Sequence, residues 1–111
     1  MSDQEMHPLA ALDETVHQRA RLGILAILAE NQEADFTHIK RSLALTDGNL
    51  GRHLEVLAHA GHVTLRKGSD GRRARTWVRI TPSGTQALNT EIELLRRLLL
   101  IAELRGDSAP R

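Results

Sequence analysis

A chain of 111 residues has room for one domain and a single core, which excludes a two-domain enzyme. Its apolar fraction of 41% comes almost wholly from Leu, Ile, Val and Ala, with Phe36 and Trp77 the only aromatic residues and no cysteine. That composition favours packed helices over a sandwich or barrel, excludes disulfides, thiolate metal ligands and thiol switches, and suits a reducing cytoplasm. The net charge of +1 hides a division: Thr37 to Arg79 holds nine Lys or Arg against three acids, and the remainder six against eleven. A basic middle between acidic flanks is the pattern of a local polyanion-binding face.

In chain order, residues 1–11 read as an N-terminal arm. Met1 to Pro8 is polar, with Asp3 and Glu5 and no apolar h-region, so it is not expected to be a signal peptide. From Leu12 to Glu30, Val16, Ala20, Ile24, Ile27 and Leu28 recur at the spacing of one helix face, which predicts a first helix. Asp35 then offers an N-cap for a second helix over Phe36 to Leu43, with Phe36, Ile39 and Leu43 on one side. After a break at Ala44 and Leu45, Thr46 caps a third helix whose buried stripe is Leu50, Leu54 and Leu57, ending at Ala60-Gly61 with Gly61 suited to a left-handed position. Two amphipathic helices joined by so short a turn predict a helix-turn-helix.

Val63 to Lys67 and Trp77 to Ile80 read as two strands, and Gly68 to Arg73 as the turn between them, giving a β-hairpin with a basic tip. Thr81 and Pro82 open a last helix as N-cap and first helical residue. It is expected to continue to about Leu104, leaving Gly106 to Arg111 as a flexible tail. Its densest apolar run, Leu98 to Ala102, falls far short of the roughly 20 residues that span a bilayer. The predicted fold is mainly α with a small β-hairpin (α+β): a winged helix-turn-helix over residues 12–84 and a C-terminal dimerisation helix over 85–105.

The third helix is the sharpest candidate site. With Leu50, Leu54 and Leu57 inward, Gly48, Asn49 and Arg52 face out and His53 lies at the border. Asn and Arg are the side chains that read adenine and guanine edges, and the glycines let backbone approach a groove wall. Two helical glycines cost about 1 kcal/mol each relative to alanine, so a purely structural surface helix would do better without them. Lys67, Arg72, Arg73 and Arg75 on the hairpin suit phosphates or the minor groove. Thr37 and Thr46, at the starts of the second and third helices, complete the expected DNA-contacting set.

The runs Leu45-Thr46-Asp47-Gly48-Asn49-Leu50-Gly51-Arg52-His53-Leu54, Ala60-Gly61-His62-Val63, Lys67-Gly68 through Gly71-Arg72-Arg73-Ala74-Arg75-Thr76-Trp77, and Thr81-Pro82-Ser83-Gly84 resemble the compact winged-helix regulators related to the MarR and ArsR groups. The resemblance covers about residues 12 to 100. It implies a homodimeric regulator of double-stranded DNA, usually a repressor, with the third helix in the major groove. Where ArsR-like sensors use Cys clusters or Asp and His ligands in the last helix, this chain has no Cys and no His after His62. No metal or other cofactor is expected, His53, His59 and His62 reading as ordinary surface histidines.

Trp77 is expected to pack the hairpin rather than stack on a ligand. No nucleophile elbow, phosphate-cradling glycine loop or HExxH occurs, and no enzymatic activity is expected. In the last helix Leu88, Ile92, Leu95, Leu99 and Ala102 follow the 4-3-4-3 spacing of a paired-helix seam, with Leu94, Leu98 and Ile101 in a second stripe. Two adjoining stripes exceed what so small a body buries, so self-association is expected there. A protein partner docked on the third helix is the rival reading, which the basic wing disfavours. A small apolar effector lodged between the first and last helices would make a ligand-gated version of the same regulator.

Overall fold

The computed structural model describes residues 7–108, so the expected arm as far as residue 6 and the tail from 109 lie outside the described residues. A short 3-10 turn, Pro8–Ala11, precedes α1 (Arg19–Asn31), β1 (Glu33–Asp35), α2 (Phe36–Leu43), α3 (Asp47–His59), β2 (Val63–Asp70), β3 (Arg73–Ile80) and α4 (Pro82–Ser108). The antiparallel sheet runs in the order β1-β3-β2.

Each helix starts where a side chain replaces a missing backbone partner. Asp35 accepts from the Thr37 amide, Thr46 from the Asn49 amide and Thr81 from the Gly84 amide, as the sequence predicts. The first helix differs from expectation. Asp13 gathers the amides of Thr15, Val16 and His17 into a turn, and Gln18, in extended conformation, caps a helix that begins only at Arg19. Val16 is nonetheless fully buried, as a plug from this turn rather than as part of a helix face. At the other end α4 runs beyond Leu104 through Ser108.

The core gathers Ile24, Leu25 and Leu28 of α1, Ile39 of α2, Leu50, Leu54 and Leu57 of α3, Val63 of β2, Val78 and Ile80 of β3, and Leu88 of α4. Leu25 is fully buried although it lies outside the predicted apolar set. Leu88 is a correction to the expected seam: it is spent on the chain's own core and is not free for a second subunit. Glu91 and Leu94 are buried beside it, so the inward stripe of α4 is Gly84, Leu88, Glu91 and Leu94.

The hairpin is longer and its turn tighter than predicted. Residues 68–70 and Arg73 belong to the strands, leaving Gly71 and Arg72 as a two-residue turn with Gly71 at φ +66°, the positive φ that such turns require at their first position. Because alternate residues face opposite sides, Val78 and Ile80 enter the core, while Arg75, Trp77 and Arg79 face away. Trp77 therefore does not pack the core as expected. It is half-buried on the outer sheet face between Arg66 and Arg75, whose guanidinium carbons each lie 5.8 Å from its ring centre.

Candidate nucleic-acid interface

α3 carries its three leucines inward and leaves Gly48, Asn49 and Arg52 on a continuous outer side, with Asn49 and Arg52 exposed. A Cβ placed on Gly48 or Gly51 would meet nothing within 4 Å, so no contact among the described residues requires either glycine. Lys40 of α2 reaches Asp47 at 2.9 Å across the helix-turn-helix corner, and Ala44 turns that corner at φ +55°. Thr37 and Thr46 are exposed at the first turns of α2 and α3, on the side where both helices start.

His53 is placed differently from its neighbours. It is half-buried, and its Nδ1 lies 3.2 Å from Arg21 of α1. Arg21 also donates to the carbonyls of Thr15 and Glu14 at 2.6 and 3.3 Å, so it ties the loop before α1 to α3. Burial, then the charges of Arg21 and Arg52, hold the His53 pKa below the ordinary histidine value. The same loop is held to α4: the Asp13 amide lies 3.4 Å from Glu91 Oε1, and His17 Nδ1 lies 2.7 Å from Oε2. His62 faces Ser83 at 3.1 Å, so it and His53 are engaged separately. Among the described residues no group of three His, Cys, Asp or Glu is placed to hold a metal ion.

On the hairpin Lys67, Arg72 and Arg73 are exposed and Arg75 half-exposed. Arg75 reaches Asp35 at 3.9 Å and Arg66 reaches Glu33 at 3.4 Å, which ties the outer sheet face to β1. Two cations absent from the predicted set belong to this region. Arg66 flanks Trp77, and Arg41, in the last turn of α2, lines a cleft with Arg73 and Arg75. The basic last turn of α2, Lys40-Arg41, is visible in the sequence, but its nearness to β3 is a long-range contact with no local signal.

A helix-turn-helix braced by a three-stranded sheet, with cations on both the third helix and the hairpin, defines the winged-helix class of DNA-binding domain. The family model for the winged helix DNA-binding domain matches residues 20–99, and the chain belongs to that family. An uncharacterized protein of Methanocaldococcus jannaschii is 38% identical over 72 residues, 65% of this chain and 78% of that protein. The transcriptional regulator homologue of Pyrococcus horikoshii OT3 superposes with a TM-score of 0.77 at 30% identity, covering 94% of this chain and 100% of that one. The transcriptional regulator MosR of M. tuberculosis, solved in complex with DNA, shares the fold at 20% identity and a TM-score of 0.67, over 99% of this chain and 79% of its own. No helix among the described residues is long and apolar enough to cross a membrane.

Proposed function

We propose that the chain is a sequence-specific transcriptional repressor that binds an inverted-repeat operator as a homodimer and has no catalytic activity. The observation that carries this reading is α3: packed through Leu50, Leu54 and Leu57, it presents Asn49 and Arg52 outward beside two glycines that no contact among the described residues demands. Side chains that read base edges, on a helix surface left open for a close approach, fit a major groove. The exposed cations of the hairpin supply backbone contacts that fix register without specifying sequence. A bound dimer would repress where its site overlaps that of the transcription machinery, by occluding the duplex.

In this reading His53 is a positioning residue that anchors α3 to Arg21, rather than a base contact. A second opening of about 970 Å³ lies between the end of α1, β3 and α4 and gives room for an effector. Its lining sets Ile80, Pro82 and Leu94 beside Arg79, Asn89, Glu93 and Arg97, so a molecule with both an apolar body and polar groups suits it.

Selection from a random duplex pool, followed by titrations at several salt concentrations, tests the reading. Arg52→Ala should cost about 1–3 kcal/mol on the selected site and blur preference at one base position, whereas Arg72→Ala should weaken binding to all sequences and flatten the salt slope by about one unit. Equal loss from Arg52→Ala on every sequence would reduce Arg52 to a phosphate contact. Absence of any enriched site would sink sequence-specific recognition.

A further inference from the structure

Glu91 lies in the stripe that α4 turns to the core, between Leu88 and Leu94, and is 1% exposed. Its carboxylate is poorly served there. Oε1 accepts from the Asp13 amide over a long 3.4 Å, and no donor among the described residues is aligned on Oε2, although His17 Nδ1 lies 2.7 Å away. Burying a charge with so few partners costs stability, and an apolar side chain of similar volume in such a place is often neutral or better. A residue that breaks the pattern of its own stripe points to a demand other than stability.

We propose that Glu91 is a remote positioning residue for α3: it clamps the loop 13–17 to α4, and Arg21 carries the position of that loop to α3. The inference rests on the DNA-binding reading and adds Glu91, Asp13, His17 and Arg21 to it.

The route is short and continuous. Asp13 and His17, which both meet Glu91, are the two ends of one turn: the Asp13 carbonyl accepts from the Val16 and His17 amides at 3.0 and 2.6 Å, and its side chain from the Thr15 amide. Arg21 grips the middle of this turn through the Thr15 and Glu14 carbonyls, and its third contact is His53 Nδ1 at 3.2 Å. His53 is next to Arg52 in α3.

The packing of α3 explains why a clamp is needed. Leu50, Leu54 and Leu57 are buried, but apolar contacts have no direction and let a helix turn slightly at low cost. A hydrogen bond does have direction. With His53 held by Arg21, the phase of α3 is fixed, and with it the directions of Asn49 and Arg52. Hydrogen bonds to base edges require that alignment, whereas attraction to phosphates depends mainly on charge. The clamp therefore serves discrimination between sequences more than affinity for DNA at large.

The full-length protein, its Glu91→Gln, Glu91→Met and His53→Ala variants, and the Glu91→Met/His53→Ala double variant would be titrated with the selected site and with a random duplex. Melting curves and sedimentation accompany the titrations. Glu91→Met should keep or raise the melting temperature, since His17, with its side chain 42% exposed, can turn to water. It should also keep the oligomeric state, the salt slope and the affinity for the random duplex. The ratio of selected-site to random affinity should fall roughly tenfold, within the range of one lost base contact. Glu91→Gln should fall in between, because its amide oxygen still accepts from Asp13. The double variant should lose little more than either single one, both having cut the same route.

A much lower melting temperature for Glu91→Met, or its failure to fold, would make the carboxylate a structural bond and overturn the proposal. A change in oligomeric state would assign Glu91 to contact between copies and overturn it equally. Losses that add in full would put Glu91 and His53 on separate routes, against the clamp. An unchanged ratio for Glu91→Met, while Arg52→Ala lowers it, would refute the clamp and leave the DNA reading standing. A protein that binds no duplex at all overturns the parent reading and this one with it.

Discussion

His53 accepts from one guanidinium and sits next in sequence to another, those of Arg21 and Arg52. With Arg21 as donor, Nδ1 must carry a lone pair, so the neutral ring protonated on Nε2 is the form that fits. Protonation would set three cations together in a half-buried place, which is why burial and the two arginines hold the pKa down. The sign of the consequence follows. Below the ordinary histidine value of about 6.5 the unfolded chain takes up a proton that the folded chain resists, so stability falls as pH drops from there towards the lower folded pKa. Melting curves between about pH 8 and pH 5 should show the unsubstituted protein losing more stability on acidification than His53→Gln, the other histidines being common to both. Parallel curves would mean that folding does not lower the His53 pKa, by burial or by the two arginines.

At the scale of elements, the junction between the end of α3 and the start of α4 is closely packed. The Thr81 hydroxyl donates to the Gly61 carbonyl at 2.7 Å and accepts from the Gly84 amide, while the Thr81 amide donates to the His62 carbonyl at 3.0 Å. A Cβ on Gly84 would collide with that same His62 carbonyl and come within 2.9 Å of Ile80 Cγ1. Backbone cannot rotate away as a side-chain tip can, so Gly84→Ala should destabilise by about 1–3 kcal/mol, the range of overpacked cores, despite alanine's better helix propensity. An equal or higher midpoint in urea would show that α4 shifts freely at its start. The caps of α2, α3 and α4 are legible in the sequence because Asp35, Thr46 and Thr81 each act on an amide two or three residues away. β1 is not legible: Glu33, Ala34 and Asp35 become a strand only by pairing with Arg79, Val78 and Trp77, more than forty positions distant. For the same reason Arg52 can be assigned to the outside of α3 from its helix phase, whereas Arg41 gains its place in the cleft only from tertiary packing. The side that Trp77 takes is not legible, because it depends on strand register and a shift of one residue exchanges the faces.

At the scale of the whole molecule, α4 is too long for the body it packs on. Its 27 residues extend about 40 Å at 1.5 Å per residue, and its inward stripe of Leu88, Glu91 and Leu94 covers only the first half. Ile92, on another side of that first half, is 37% exposed, and beyond it Leu99, Leu100, Ile101 and Leu104 are 63%, 57%, 38% and 62% exposed. Exposed apolar patches of this kind are where association surfaces are sought, and the proposed dimer would form on these residues. A second copy related by a two-fold axis would cover them with the same residues and set two α3 helices at successive major grooves, about 34–36 Å apart. Truncation near Thr90 would be a poor test, because it also removes the buried Glu91 and Leu94. Ile92→Glu with Leu99→Glu leaves the inward stripe intact. This pair should sediment as a monomer, melt within a few degrees of the unsubstituted protein, and bind an inverted repeat no more tightly than a single half-site. The lost advantage of two linked binding modules is on the order of 10²–10⁴-fold. An unsubstituted protein that is monomeric at micromolar concentration yet binds the inverted repeat with full affinity, or a doubly substituted protein that remains dimeric, would show that α4 is not where two copies meet.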